Sequence, residues 1–169
     1  MQRTIRGIRN SDLGLGYPYK APGMSGEIKT RAFEIADYDA ALQLWSRVEG
    51  VEIAEGDSSD EIARFLAQNP HLSRVAEDNK TVIGVSLCGH DGRRGYIYHL
   101  AVAPEYHGRG VGRKLVAECL DGLGKLGLKR ALILVADDNP KGQAFWRRCG
   151  WEDVPEAKVM GIDLENPVA

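Results

Sequence analysis

Between Val102 and Leu115 the chain reads Val-Ala-Pro-Glu-Tyr-His-Gly-Arg-Gly-Val-Gly-Arg-Lys-Leu. An apolar strand stops at a proline-broken turn, three glycines follow at every second position, and an amphipathic helix begins at once. Glycines at this spacing let backbone N–H groups converge without interference from Cβ atoms. The helix start adds unpaired N–H groups and the positive end of a dipole. Together these make a socket for a phosphate or pyrophosphate, with Arg109, Arg113 and Lys114 able to add charge-assisted hydrogen bonds at the rim. A glycine-rich turn that merely starts a helix is the plainer alternative.

Two familiar phosphate motifs fail on spacing. A Walker A loop has four residues between its glycines, followed by Lys and Ser or Thr. Gly108 and Gly112 enclose three, and Arg113, Lys114 and Leu115 follow. A dinucleotide fingerprint is Gly-x-Gly-x-x-Gly with an acidic residue about twenty positions later. Gly108, Gly110 and Gly112 give Gly-x-Gly-x-Gly, and the later region holds the basic Lys129 and Arg130.

The stretch does resemble motif A of the GNAT superfamily of acetyl-CoA-dependent N-acetyltransferases. That motif is Gln/Arg-x-x-Gly-x-Gly/Ala after a strand ending in Val-x-Pro. Gly110 and Gly112 fill the two small positions, Val102-Ala103-Pro104 fits the strand end, and His107 stands where Gln or Arg is usual. A second match follows in the right order. Motif B resembles Asn-x-x-Ala-x-x-x-Tyr-x-x-x-Gly-Phe, with some play before the Ala. Here Asn139, Gly150 and Trp151 match, and Trp146 takes the Tyr position. The resemblance runs from Glu27 to Leu164.

It implies an α/β fold of mixed α+β type: a mostly antiparallel sheet splayed at the strand ending at Val102, with helices on both faces. The cofactor implied is acetyl-CoA as co-substrate, and the partner an amine acceptor. By resemblance the pyrophosphate falls to His107, Gly108, Arg109, Gly110, Val111, Gly112 and Arg113. The pantetheine arm falls to main-chain groups of Leu100, Ala101 and Val102, and to Asn139, which reads equally well as a helix cap. The family's Tyr protonates the departing thiolate, whereas the indole of Trp146 donates a hydrogen bond without being a usable acid. Family members often carry a glutamate base on this strand or the next. Leu132 to Val135 holds no titratable side chain, so His99 is the candidate base, with a satisfied core histidine as the alternative. A non-catalytic acyl-CoA-binding sensor and a module for another phosphate ligand are the competing readings of function.

With 169 residues, 43% of them hydrophobic, the chain can bury a sizeable core, which we read as one domain over residues 26–169. The net charge of −2 gives no polybasic signal for nucleic acid or for an acidic membrane surface. No run of 18 apolar residues occurs, so a membrane helix is not expected. Cys88, Cys119 and Cys149 lack metal-ligand spacing and read as separate, reduced core residues of a cytoplasmic protein, without a metal site. Residues 1–25 carry Arg3, Arg6 and Arg9 and then Gly/Pro-rich sequence, and read as a flexible extension, with Met24 an alternative start. The resemblance also allows a homodimer.

Along the chain, Ile28–Phe33 reads as a strand. A helix capped by Asp37 with Ala41, Leu44, Trp45 and Val48 inward comes next. Ser58 and Glu61 form a capping box for a helix burying Ile62, Phe65 and Leu66. Strands are expected at Leu72–Glu77, Thr81–Cys88 and Tyr96–Val102. The helix after motif A buries Val111, Leu115, Val116, Cys119, Leu120 and Leu123, with Gly127 as its cap. Arg130–Ala136, apolar on both faces, is expected at the centre of the sheet. Asn139 and Pro140 open the last helix, and Val154–Leu164 should hold one or two strands. Glu49, Glu52, Glu55, Asp57, Asp60 and Glu61 form an acidic run that suits a cationic amine or a solvated loop. Arg93 and Arg94 suit a carboxylate or a plain hairpin turn.

Overall fold

The computed structural model describes residues 27–162 and residue 164. The expected extension over 1–25 lies outside these residues. Contacts divide the chain into two units, one up to Ala136 and one from Asp137.

The first unit is built on a five-stranded sheet in the order β1 (Lys29–Ala32), β2 (Arg74–Asp78), β3 (Thr81–His90), β4 (Gly95–Val102) and β5 (Ala131–Ile133). Successive strands β1 to β4 pair antiparallel, because short turns join all but the first pair. Between β2 and β3, Asn79 and Lys80 both have positive φ, the conformation of a two-residue hairpin whose twist matches the strands. Between β3 and β4, Asp91 accepts from the amides of Arg93 at 2.8 Å and Arg94 at 2.7 Å. The backbone of the two arginines is thus spent on a hairpin turn. β5 pairs parallel to β4, reached through the helix α3 (Val111–Lys125).

Two glycines of β3 show how the faces are used. A Cβ on Gly84 would meet Leu115 and Val111 of α3 at 3.1 Å. A Cβ on Gly89 would meet Phe65 at 2.7 Å and Asn69 at 2.8 Å, at the end of the helix α2 (Ser59–Gln68). The two glycines are an odd number of residues apart, hence on opposite faces. So α3 covers one face, while α2 and the helix α1 (Tyr38–Trp45) cover the other. Trp45, Val75, Ile83, Val85, Tyr106 and Leu115 are fully buried between the layers. Across β1, β2 and α3, Glu118 accepts from Thr30 Oγ1 at 2.5 Å and from Arg74 at 2.7 Å.

Most expected elements form, with instructive exceptions. Asp37 directly precedes α1 but does not cap it. Its carboxylate turns back to the Glu34 amide at 2.9 Å and to both terminal nitrogens of Arg31 at 2.7 Å. The Ser58–Glu61 capping box is present. In α3, Leu120 is exposed while the other expected positions are buried. Cys88 and Cys119 are not separate: the Cys88 thiol lies 4.0 Å from the Cys119 carbonyl in the core.

The strand expected over Arg130–Ala136 is shorter and sits at the sheet edge, with Leu134 64% exposed. Val154–Leu164 forms no strand among the described residues. Pro155 removes a ladder donor there and Gly161 interrupts the apolar alternation. The second unit therefore consists of the helix α4 (Pro140–Arg148) and an irregular tail, with Met160 91% exposed.

Asp37 gives the first unit a defined acid sensitivity. Burial opposes its ionisation, but the Arg31 guanidinium and the Glu34 amide outweigh burial, and its carboxyl is held below the ordinary value. A carboxyl lowered on folding contributes stability that is full above its unfolded value, about 3.9, and is lost as pH falls through the folded one. We expect Asp37→Asn to be less stable near neutrality and to lose less on acidification. Urea unfolding between about pH 7 and about pH 2 tests this; parallel curves for the two proteins would show that the pair is not linked to folding.

Candidate functional site

The β4–β5 ladder stops early. Its register covers Gly95, Tyr96 and Ile97 of β4 only, whereas β3 stays beside β4 as far as Val102. Among the described residues, the second half of β4 consequently has an open side. Ala103 N–H donates to Ile83 at 2.8 Å, and Val85 pairs with Ala101. In an antiparallel ladder, hydrogen-bonded pairs alternate with pairs whose main-chain groups turn away. Val102, opposite Gly84, therefore directs its N–H and C=O to the open side. Ala101, which the motif placed with it, faces β3 instead. The Val102 carbonyl is met by His107 Nε2 at 2.8 Å.

The chain then turns through Pro104–Tyr106 and reaches the glycine loop. Gly108 and Gly110 have φ of +75° and +79°, which makes glycine the unstrained choice at both. Gly110 is the N-cap of α3, and the first helical bond runs from Lys114 N–H to its carbonyl at 3.0 Å. The amides of Val111, Gly112 and Arg113 precede that bond and have no carbonyl one turn back. Val111 anchors this end of the helix in the core. Gly108, Arg109, Gly110 and Arg113 are exposed, and Gly112 is half-buried. The Arg109 guanidinium lies 4.9 Å above the buried ring of Tyr106, a cation–π arrangement that steers it beside the loop. Tyr106 in turn donates to the buried Asp78 at 2.8 Å.

His99 sits on the same half of β4, at a register shift where the strand gains a residue over β3. Its Nε2 is 2.8 Å from Asp57 Oδ1, and its carbonyl accepts from the Trp45 indole at 3.2 Å. Asp57 was legible only as one acid in a run of six. The other five divide between exposed positions and the Glu61 capping box. Nothing in the spacing of residues 42 positions apart marks Asp57 as the partner of His99.

The second unit holds Asn139 and Trp146. Asn139 caps α4, its Oδ1 accepting from Gly142 N–H at 2.8 Å, which leaves its amide NH₂ to donate elsewhere. Trp146 lies at the other end. There Trp151 N–H bonds the Trp146 carbonyl and Gly150 N–H bonds that of Arg147 around a left-handed Gly150. This is a Schellman closure, and the apolar contact that accompanies it is the edge-on pair Trp146–Trp151, with ring centroids 5.2 Å apart. Among the described residues no cluster of three or more His, Cys, Asp or Glu side chains suits a metal ion, and no helix is long and apolar enough to cross a membrane.

This geometry coincides with a family match: the pattern of the Acetyltransferase (GNAT) family fits residues 38–151. The chain belongs to that family. Among GNAT relatives, an acetyltransferase of Photorhabdus laumondii is 30% identical over 133 residues, covering 79% of this chain and 92% of its own. An acetyltransferase of Pectobacterium atrosepticum is 30% identical over 127 residues, covering 75% and 89%. The ribosomal-protein-S18-alanine N-acetyltransferase of Escherichia coli superposes with a TM-score of 0.62 at 20% identity, over 76% of this chain and 79% of that one. The aminoglycoside N-acetyltransferase AAC(6′)-Iy in complex with CoA gives 0.64 at 16%, over 82% and 95%. At such identities the structural likeness is one of fold.

The loop's dependence on glycine can be measured without a ligand. A Cβ on Gly110 would meet no atom within 4 Å, so only its φ opposes a side chain. A left-handed residue other than glycine costs about 1–2 kcal/mol. Gly110→Ala should lower the melting temperature by a few degrees while the protein stays folded. An unchanged Tm would mean that the loop relaxes out of the left-handed conformation.

Proposed function

We propose that this GNAT protein transfers the acetyl group of acetyl-CoA to a primary amine, directly, within a ternary complex. The observation that carries this reading is the coincidence of two features on one strand. The β4–β5 ladder ends after Ile97, and the unpaired amides at the start of α3 follow the end of β4 after the turn and loop of residues 103–110. An extended arm carrying two amide groups can add to the open side of β4 as a strand would. Its pyrophosphate then falls at the helix start, with Arg109 and Arg113 at the rim.

The roles follow from the groups available. Val102 and, by resemblance, Leu100 offer main-chain groups to the pantetheine arm, and the Val102 carbonyl exchanges His107 for the arm's N–H. The Val102 N–H faces the open side and suits the thioester oxygen as negative charge develops there. His99 accepts the proton of the attacking amine. The amine nitrogen bonds the carbonyl carbon, the C–S bond breaks, and the electron pair leaves on sulfur as a thiolate. By resemblance, Asn139 falls to the cofactor and Trp146 to the leaving sulfur, to which indole can donate a hydrogen bond but no proton. The acceptor is a small-molecule or protein amine, and the setting is the cytoplasm.

Release of free thiol from acetyl-CoA across a panel of polyamines, aminosugars, amino acids and peptide N-termini tests the reaction. We expect an amine-dependent rate. CoA binding without turnover on any amine would favour the acyl-CoA sensor, for which the absence of a tyrosine at position 146 speaks. Stabilisation by ATP or NAD but not by CoA would remove both readings.

Two substitutions probe the roles. Gly110→Asp places a carboxylate at the pyrophosphate, and titration calorimetry should show CoA affinity reduced by about two orders of magnitude or more, since a like charge at a desolvated contact costs several kcal/mol. Trp146→Phe should keep its rate within about tenfold, because no proton is transferred from indole. A well-placed acid is worth ~10²–10⁴-fold; a loss of that size in Trp146→Phe would assign indole an essential polar role.

A further inference from the structure

His99 is held in a backbone conformation that costs energy. Its φ is +48°, the left-handed region, on a residue that is not glycine. Such outliers persist where their surroundings over-determine them. Here the surroundings are explicit. The Trp45 indole N–H donates to the His99 carbonyl at 3.2 Å, and the same ring meets the imidazole edge-on with centroids 4.9 Å apart. Asp57 Oδ1 lies 2.8 Å from Nε2.

Asp57 is itself fixed at three points. Its Oδ2 accepts from the Ala54 amide at 2.9 Å, its carbonyl accepts from the Tyr38 hydroxyl at 2.8 Å, and Oδ1 is the oxygen at His99. The two side chains are 20% and 12% exposed, so the contact is largely removed from water. The Tyr38 hydroxyl, which donates to the Asp57 carbonyl, has its ionisation opposed first by burial and then by the negative charge of Asp57. It stays neutral and serves as a donor.

An ionised carboxylate can only accept hydrogen bonds. The proton between Asp57 and a neutral His99 therefore sits on Nε2, and the lone pair sits on Nδ1. Among the described residues Nδ1 has no hydrogen-bond partner. We propose that Asp57 is a positioning residue for the transfer reaction: it fixes the tautomer of His99 so that Nδ1 is the atom that takes the amine proton. This rests on the acetyltransferase reading above.

The proton balance is complete within the pair. As the C–N bond forms, the amine proton passes to Nδ1, and His99 becomes an imidazolium with protons on both nitrogens. Its positive charge then lies against the Asp57 carboxylate, which stabilises it without taking the proton. The sulfur leaves with its electron pair, and Nδ1 returns its proton to solvent once product departs. Asp57 touches β4 at His99, so its charge acts on His99 rather than on the acceptor.

The Asp57→Asn substitution separates this role from mere support. Asparagine has one acceptor oxygen where aspartate uses two, one on Ala54 N–H and one on His99. With that oxygen held by Ala54, the NH₂ group faces Nε2 as a donor and drives the ring proton to Nδ1. Long-range ¹H–¹⁵N spectra of the ring should show the Nε2–H tautomer in the wild type and the Nδ1–H tautomer in the variant. In steady state kcat should fall about 10²-fold or more, with KM for acetyl-CoA unchanged. An Nδ1–H tautomer in the wild type overturns the proposal whether or not any amine is turned over. So does a kcat for Asp57→Asn within about threefold of wild type once the tautomer has switched. Absence of turnover on every amine would remove the acetyltransferase reading, while the spectra would still decide whether Asp57 sets the tautomer.

Discussion

The early end of the β4–β5 ladder is the constraint on which the rest of the site depends. A parallel neighbour pairs with β4 for three residues and then leaves. Past that point β4 keeps one full ladder, to β3, and one open edge. An open edge inside a sheet is a liability unless something covers it. Here His107 covers one of its main-chain groups, the Val102 carbonyl, at 2.8 Å, and in the proposed reaction the rest are left to the cofactor. The register shift at His99 belongs to the same arrangement, because an inserted residue bends and twists the strand that carries it. That bend turns the His99 imidazole toward Trp45 and Asp57 on the α1/α2 side. Meanwhile Val102 lies opposite Gly84, whose missing Cβ lets Val111 and Leu115 of α3 approach the sheet closely.

Rigid packing beneath a glycine loop is what keeps the helix start in place. Gly108 and Gly110 take left-handed conformations that few other residues accept, and no protein atom crowds either of them. The loop is thus shaped by its two ends. At one end Tyr106 is buried and donates to Asp78; at the other Val111 and Leu115 are locked into the core. The Glu118 contacts to Thr30 and Arg74 hold the middle of α3 against two further strands. A helix anchored in this way presents its first amides in a fixed direction, and preorganised donors need no reorganisation when a charged group arrives.

How much of this was legible in the sequence depended on whether local chemistry or distant pairing decided the outcome. The glycine loop, the Ser58 capping box, the Asn139 cap and the Gly127 and Gly150 closures are set by neighbouring residues, and the chain spells them out. Asp37 failed as a cap because Arg31, six residues away and on the adjoining strand, offered its carboxylate a bidentate partner. Arg130–Ala136 reads as a central strand because it is apolar throughout. Its place in the order of strands is decided by which strands pair with it, and apolar content alone does not report that. The His99–Asp57 pair was out of reach for a stronger reason. It joins a strand bulge to a loop 42 positions earlier, and neither residue stands in a motif.

In the reaction proposed above, proton transfer falls to the base, because the residue at position 146 is no acid. Trp146 stands where the family places an acid, yet indole can offer only a hydrogen bond. A thiolate is a tolerable leaving group, so the sulfur can depart unprotonated provided the amine has already lost its proton. That shifts the burden to the base. A neutral imidazole with its lone pair directed by a fixed carboxylate is suited to carry it, because the charge it acquires forms beside an existing opposite charge instead of in water. Trp146 meanwhile is constrained by structure: its carbonyl and ring close the end of α4 together with Gly150 and Trp151. A tyrosine there could still close the helix, but its smaller ring would give up part of the edge contact with Trp151. Within the second unit, then, the Trp146 ring is committed to packing against Trp151.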